Sequence, residues 1–170
     1  DEPVEPVTEN EVEPTEPPTA TSLLLLVAEG RVDLDDPVAK VLPAFGERGK
    51  EGVTIRHLLT HTSGLKPWRP FHEALLERER KKGERLLCTP AAREAVLERI
   101  CRSSLVHDPG EAAVYGDLDF ILLGAVVEEI AGQLDDLYQE ALREGASPRK
   151  AVRAAFAQTE NWDELSARII

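Results

Sequence analysis

Val53-Thr-Ile-Arg-His-Leu-Leu-Thr-His-Thr-Ser-Gly-Leu65 sets a capping residue ahead of apolar side chains at helical spacing and closes on a Ser-Gly pair. Thr54 fits a helix N-cap, because its hydroxyl can accept from an amide that has no partner inside the first turn. Ile55, Leu58 and Leu59 then share a face, and the helix has to end before Ser63-Gly64. His57 and His61 stand four apart, a spacing that can share a metal. The glutamate of a His-Glu-x-x-His helix is missing, however, and no third ligand is evident, so no metal is expected. Ser63 has only His61 as a base, and a pair two residues apart is poorly placed for nucleophilic attack.

On the N-terminal side, Pro37 opens a short helix with Asp36 as its cap and Val38, Val41 and Leu42 on its inner face. Before it, Leu23 to Val27 form an apolar helix that Thr19, Thr21 or Ser22 can cap and that Glu29-Gly30 stops. Gly46 to Gly52 reads as a charged loop. On the C-terminal side, Phe71 to Arg85 has helical composition with a solvated, mixed-charge face over Arg78 to Lys82. His72-Glu73 and His107-Asp108 read as surface pairs.

Thr89-Pro90 opens a helix carrying the stripe Ala92, Val96 and Ile100. Asp117 is placed to cap a helix in which Leu118, Ile121, Leu122, Ala125 and Val126 cover a wide buried face, with Gly132 as its end. Ser147-Pro148 starts another, with Ala151, Val152, Ala155 and Phe156 on one side, and Trp162, Leu165 and Ile169 form a last short stripe. Ser147-x-x-Lys150 matches a nucleophile pattern literally, but serine before proline at a helix start is a cap. No segment alternates at period two over strand length, so the fold class is mainly α.

The 170 residues suit one ordinary domain, and 42% hydrophobic with 31% charged residues suits a globular chain. A net charge of −12 argues against nucleic acid as a partner. Residues 1–18 carry seven acids, no base and five prolines, a composition expected to be disordered. The rest of the chain carries −5. Two cysteines, Cys88 and Cys101, make neither a disulfide framework nor a zinc knuckle and read as reduced thiols. No apolar run reaches the roughly 20 residues of a membrane span, and no secretory signal pattern is present in this sequence.

Three stretches, in this order, resemble the serine β-lactamase and penicillin-binding-protein-like hydrolases, in particular their class C and esterase-like branch. They are Leu23 to Val38, the Val53 to Leu65 stretch, and Pro109-Gly-Glu-Ala-Ala-Val-Tyr-Gly-Asp-Leu-Asp-Phe-Ile-Leu-Leu-Gly124. The resemblance implies the helical region of the β-lactamase/transpeptidase-like α/β fold, with its β-sheet largely missing. It assigns residues 19–132 to that helical domain and leaves 133–170 as C-terminal helices of unclear kinship.

What the family does implies the rest. Its members cleave esters or amides through an acyl-enzyme: a serine of Ser-x-x-Lys attacks, a Tyr-x-Asn variant relays protons, and Lys-Thr-Gly or His-x-Gly holds the substrate. Tyr115-Gly116-Asp117 matches the second motif, making Tyr115 and Asp117 the candidate catalytic residues, with helix capping as the other reading of Asp117 and a partly buried structural tyrosine that of Tyr115. The nucleophile motif falls near Glu13-Pro14-Thr15-Glu16, where glutamates stand at the serine and lysine positions and prolines oppose the helix that presents the serine. The third motif has no counterpart in this sequence.

The resemblance therefore implies a serine hydrolase domain that is incomplete and weakly active or inactive, acting, if active, on a small-molecule ester, amide or β-lactam without a cofactor. The alternative is a non-catalytic helical protein that binds a partner or a second copy of itself through an exposed apolar face. Complete relatives are often exported; the sequence itself does not fix a location.

Overall fold

The computed structural model describes residues 19–158 apart from 84, 86 and 88, and seven α-helices make up most of the regular structure there. Among the described residues the sheet element is limited to one antiparallel bridge, Pro37 to Thr54. The acidic segment 1–18, the stretch near Glu13 to Glu16, Cys88 and the stripe of Trp162, Leu165 and Ile169 lie outside the described residues.

Helix α1 (Thr19–Ala28) starts ahead of Thr21 and Ser22, which therefore lie within it. It ends as expected: Gly30 at φ +71° lets its own amide reach the Val27 carbonyl and the Arg31 amide reach Leu26. Helix α2 (Val38–Val41) corrects the cap expected of Asp36. Pro37 holds the cap position without a side-chain bond, and the Asp36 carboxylate instead accepts from the Asp33 amide and Lys40 Nζ. A 3-10 turn (Pro43–Gly46) follows, burying Phe45. Lys50, in the loop read as simply charged, is fully buried; its Nζ donates to the carbonyls of Glu47 (2.7 Å) and Ser103 (2.9 Å). Two hydrogen bonds offset the cost of taking an ammonium from water.

Helix α3 (Ile55–Leu59) has the expected threonine cap, reinforced in a way the sequence did not announce. The His57 amide donates to Thr54 Oγ1 while the Thr54 amide donates to His57 Nδ1, so the histidine closes a capping box. Helix α4 (Phe71–Lys82) stops at Gly83 in the left-handed conformation, short of Arg85. Helix α5 (Pro90–Cys101) is capped by Thr89, whose side chain accepts from the Ala92 amide, and it buries Ala92 and Ile100.

Helix α6 (Asp117–Arg143) overrides two local signals. Gly116, not Asp117, is the cap residue, and the helix runs straight through Gly132. An interior glycine costs only about 1 kcal/mol relative to alanine. Against that stand eight buried side chains of α6, among them Leu122, Val126 and Ile130. Ile121, expected on the buried face, turns outward, and Leu123, not assigned to that face, is buried. Helix α7 (Pro148–Gln158) lies along α6 and buries Ala151 and Ala155, while Val152 and Phe156 face solvent. Its last turn is clasped by buried Arg31, which donates to the Phe156 carbonyl and sits 4.3 Å from that ring's centre.

One apolar core joins these parts. Leu23 of α1, Val38 of α2, Phe45, Leu58 of α3, Ile100 of α5 and Leu122 of α6 all have no exposed surface and belong to the same cluster. At about 1.5–3 kcal/mol for each such side chain, this core is what fixes α6 against α1 and α3. The N-terminus of α6 is thereby brought beside the loop that leaves α3.

Candidate functional site

Two loops meet at the start of α6, and backbone hydrogen bonds tie them together. The carbonyls of His61, Thr62, Gly64 and Pro67 accept from the amides of Val114, Gly110, Val106 and Asp117, at 2.8 to 3.0 Å. The zipper demands small residues. Gly64 sits at φ +80°, and a Cβ there would lie 2.2 Å from the His107 carbonyl oxygen. Gly116 is extended, but a Cβ on it would meet the Pro67 backbone at 2.5 Å. Pro109-Gly110 and Tyr115-Gly116-Asp117 are thus seated directly on the loop that contains the His-Thr-Ser-Gly stretch.

Side chains reinforce the junction. His61 leaves α3 with φ +55°, a conformation that histidine tolerates better than most residues, and its ring turns toward α6. There it stacks on Phe120 (5.1 Å between centres) and meets the Tyr115 ring at 4.6 Å. His61 Nδ1 lies 3.2 Å from Asp119 Oδ2, and Ser63 Oγ donates to Asp119 Oδ1 at 2.5 Å. The Leu65 amide donates to Ser63 Oγ. Asp119 is buried, and burial pushes its carboxyl above the ordinary range although the bonds from Ser63 and His61 pull the other way.

These contacts sort the candidate residues. Ser63, 1% exposed and committed to Asp119, is a structural hydroxyl with no access for a substrate. His57 and His61 do not converge, since His57 serves the α3 cap and His61 serves Asp119. No group of three His, Cys, Asp or Glu suited to a metal occurs among the described residues. Tyr115 is 79% exposed, its ring backed by His61 and its phenol free of the core. Asp117 stands in the first turn of α6, where a carboxylate complements the helix dipole.

Asp119 is the member that sequence reasoning passed over. It lies on the expected α6 helix, but its partners are 56 and 58 residues away, and no local spacing announces such a pairing. Cys101 is half-buried, and burial raises its thiol above the usual range, which suits an unreactive thiol.

Comparison with known proteins gives this junction a context. A family model described as Beta-lactamase matches residues 16–161. The chain is 32% identical over 133 residues to a putative D-alanyl-D-alanine carboxypeptidase of Escherichia coli (strain K12), covering 72% of this chain and 28% of that protein. To esterase EstB of Burkholderia gladioli it is 39% identical over 129 residues, covering 70% and 31% respectively. The chain therefore spans less than a third of the length of these two relatives.

Among solved structures, a penicillin-binding-protein homolog from Caulobacter crescentus superposes with a TM-score of 0.51 at 23% identity, covering 67% of this chain and 28% of that one. A D-stereospecific amidohydrolase from Streptomyces sp. gives 0.50 at 32% identity, with 79% and 36% covered.

Proposed function

Because the chain belongs to the Beta-lactamase family, whose hydrolase relatives make it a serine-hydrolase-type domain, we propose that it carries the proton-relay corner of an acyl-transfer site but no working nucleophile of its own. Residues 19–132 hold the hydrolase motifs, and α6 continues into 133–170. Tyr115 is the relay group and Asp117 its neighbour on the first turn of α6. The substrate class is a small ester, amide or β-lactam.

The observation that carries the reading is the Tyr115 phenol: 79% exposed, yet its ring is held at the mouth of α6 by His61, itself fixed by Asp119. A phenol in that position can relay a proton: its oxygen takes the one released when a hydroxyl attacks an acyl carbon as its own O–H gives one to the leaving group. Positioning by a buried network keeps its aim without help from solvent. Within these 170 residues no Ser-x-x-Lys stands ahead of α1, and Ser63 and Ser147 do not replace it: the first is buried and the second precedes Pro148 at the start of α7.

The test is intact mass spectrometry after incubation with a penicillin and, separately, with an activated ester. The expected result is an unmodified mass. A stoichiometric adduct at any serine would overturn the proposal that the chain lacks a nucleophile, and peptide mapping would name the residue.

A second reading is supported by Leu24 and Leu25 of α1, which are 48% and 56% exposed, and by exposed Val152 and Phe156 of α7. These side chains suit a partner-binding or self-associating face. Sedimentation velocity at increasing concentration tests it: association that disappears in Leu24→Gln/Leu25→Gln supports this reading, and a concentration-independent monomer rejects self-association.

A further inference from the structure

One cleft of about 800 Å³ runs between the loop after α3 and the C-terminal end of α5. Five cationic side chains line it: Arg48, Lys66, Arg69, Arg99 and Arg102. Among the described residues no Asp or Glu lines it. In a chain of net charge −12, with 32 acids against 20 Lys and Arg, such an excess on one wall runs against the composition.

Part of it has a local cause. Arg102 pairs with Glu98, and Arg99 and Arg102 both complement the negative end of α5. Arg48, Lys66 and Arg69 have no such explanation: Arg48 comes from the loop before α3, and Lys66 and Arg69 from the loop after it. Below the cleft, buried Lys50 donates to the carbonyl of Ser103, a lining residue, adding a positive charge under the floor. Arg69 Nε is buried and lacks a hydrogen-bond partner among the described residues. Nε itself is closed to solvent, so it marks a guanidinium held in place at the cleft wall and is not itself a ligand contact.

We propose that this cleft binds a small polyanion of the oligophosphate class, with Arg48, Lys66, Arg69, Arg99 and Arg102 as its ligands. Guanidinium groups match phosphate oxygens in two-pronged hydrogen bonds, and like charges crowded around one space are relieved by a multivalent anion. The protein's overall negative charge opposes a long nucleic acid but costs little for a ligand short enough to stay inside the basic wall. The inference is independent of the acyl-transfer reading and is unaffected by the mass measurement above.

Isothermal titration with inorganic pyrophosphate and with tripolyphosphate tests it directly. The expected result is one saturable site whose affinity falls steeply with added salt. Arg69→Gln and the double variant Arg99→Gln/Arg102→Gln are each expected to weaken it about tenfold or more, while Arg153→Gln, an exposed cation of α7, leaves it unchanged. Circular dichroism on each variant separates lost binding from lost folding, and the exposed Arg99/Arg102 pair keeps the test open if Arg69→Gln fails to fold. No saturable binding of either anion overturns the proposal. So does binding that survives both cleft variants, or binding that Arg153→Gln weakens as much as they do.

Discussion

Gly64 shows how much of the site depends on single residues. Its φ of +80° strains any L side chain, and its Cα faces the His107 carbonyl so closely that a methyl group would sit 2.2 Å from the oxygen. Neither problem has a flexible neighbour to absorb it, because the obstacle is backbone. Gly64→Ala is expected to cost about 2–4 kcal/mol, the range reached when strain and a clash combine. Chemical denaturation checks this, with an unchanged midpoint as the contrary result.

Asp119 allows a sharper test at the same scale. Asp119→Ala strands the Ser63 hydroxyl in the interior and removes the partner of His61, for an expected loss of about 2–3 kcal/mol. Asp119→Asn keeps an acceptor for Ser63, puts an amide N–H where His61 met a carboxylate oxygen, and removes the buried charge. The folded carboxyl titrates above the ordinary aspartate range, chiefly through burial. The stabilisation tied to that raised value is therefore complete below the ordinary aspartate range and is lost as pH rises through the folded value. Asparagine has no such loss. Denaturation midpoints from acid to neutral pH are expected to favour Asp119→Asn increasingly over the natural residue; parallel curves would contradict the assignment.

At the scale of elements, the caps that rest on adjacent residues were legible. Thr54 and Thr89 accept from amides three positions on, as their spacing predicts. The signals that failed were those in which distant packing outweighs local preference. Gly132 reads as a helix end, yet α6 passes through it because flanking turns are held by α1, α3 and α7. Asp36 and Asp117 read as caps, but the first has Lys40 and the Asp33 amide to satisfy, and the second follows a glycine wedged against Pro67. Lys50 reads as a solvated charge because nothing in its neighbourhood announces the Ser103 carbonyl 53 residues away. Gly132 carries a prediction of its own: no atom lies within 4 Å of an added Cβ, so Gly132→Ala should stabilise the fold by about 0.5–1 kcal/mol. An unchanged or lower melting temperature would contradict an unbroken α6.

Over the whole molecule, the mainly helical class followed from periodicity, and family membership from motifs read in order along the chain. The geometry of the site did not. Tyr115 and Asp117 were recognisable because they belong to a short motif, whereas the His61, Ser63 and Asp119 network joins two loops that only the common core brings together. None of the described helices is long and apolar enough to cross a membrane.

The central claim is that the loop leaving α3 and the loop entering α6 form one unit that presents Tyr115. Amide hydrogen exchange followed by NMR tests it most directly, because the zipper consists of four named amides: Val106, Gly110, Val114 and Asp117. The account predicts protection of these amides comparable to the interior of α6, opening only with the fold as a whole. Rapid exchange at these four positions beside a protected α6 would mean that the two loops move independently, and the presentation of Tyr115 by a fixed junction would be wrong.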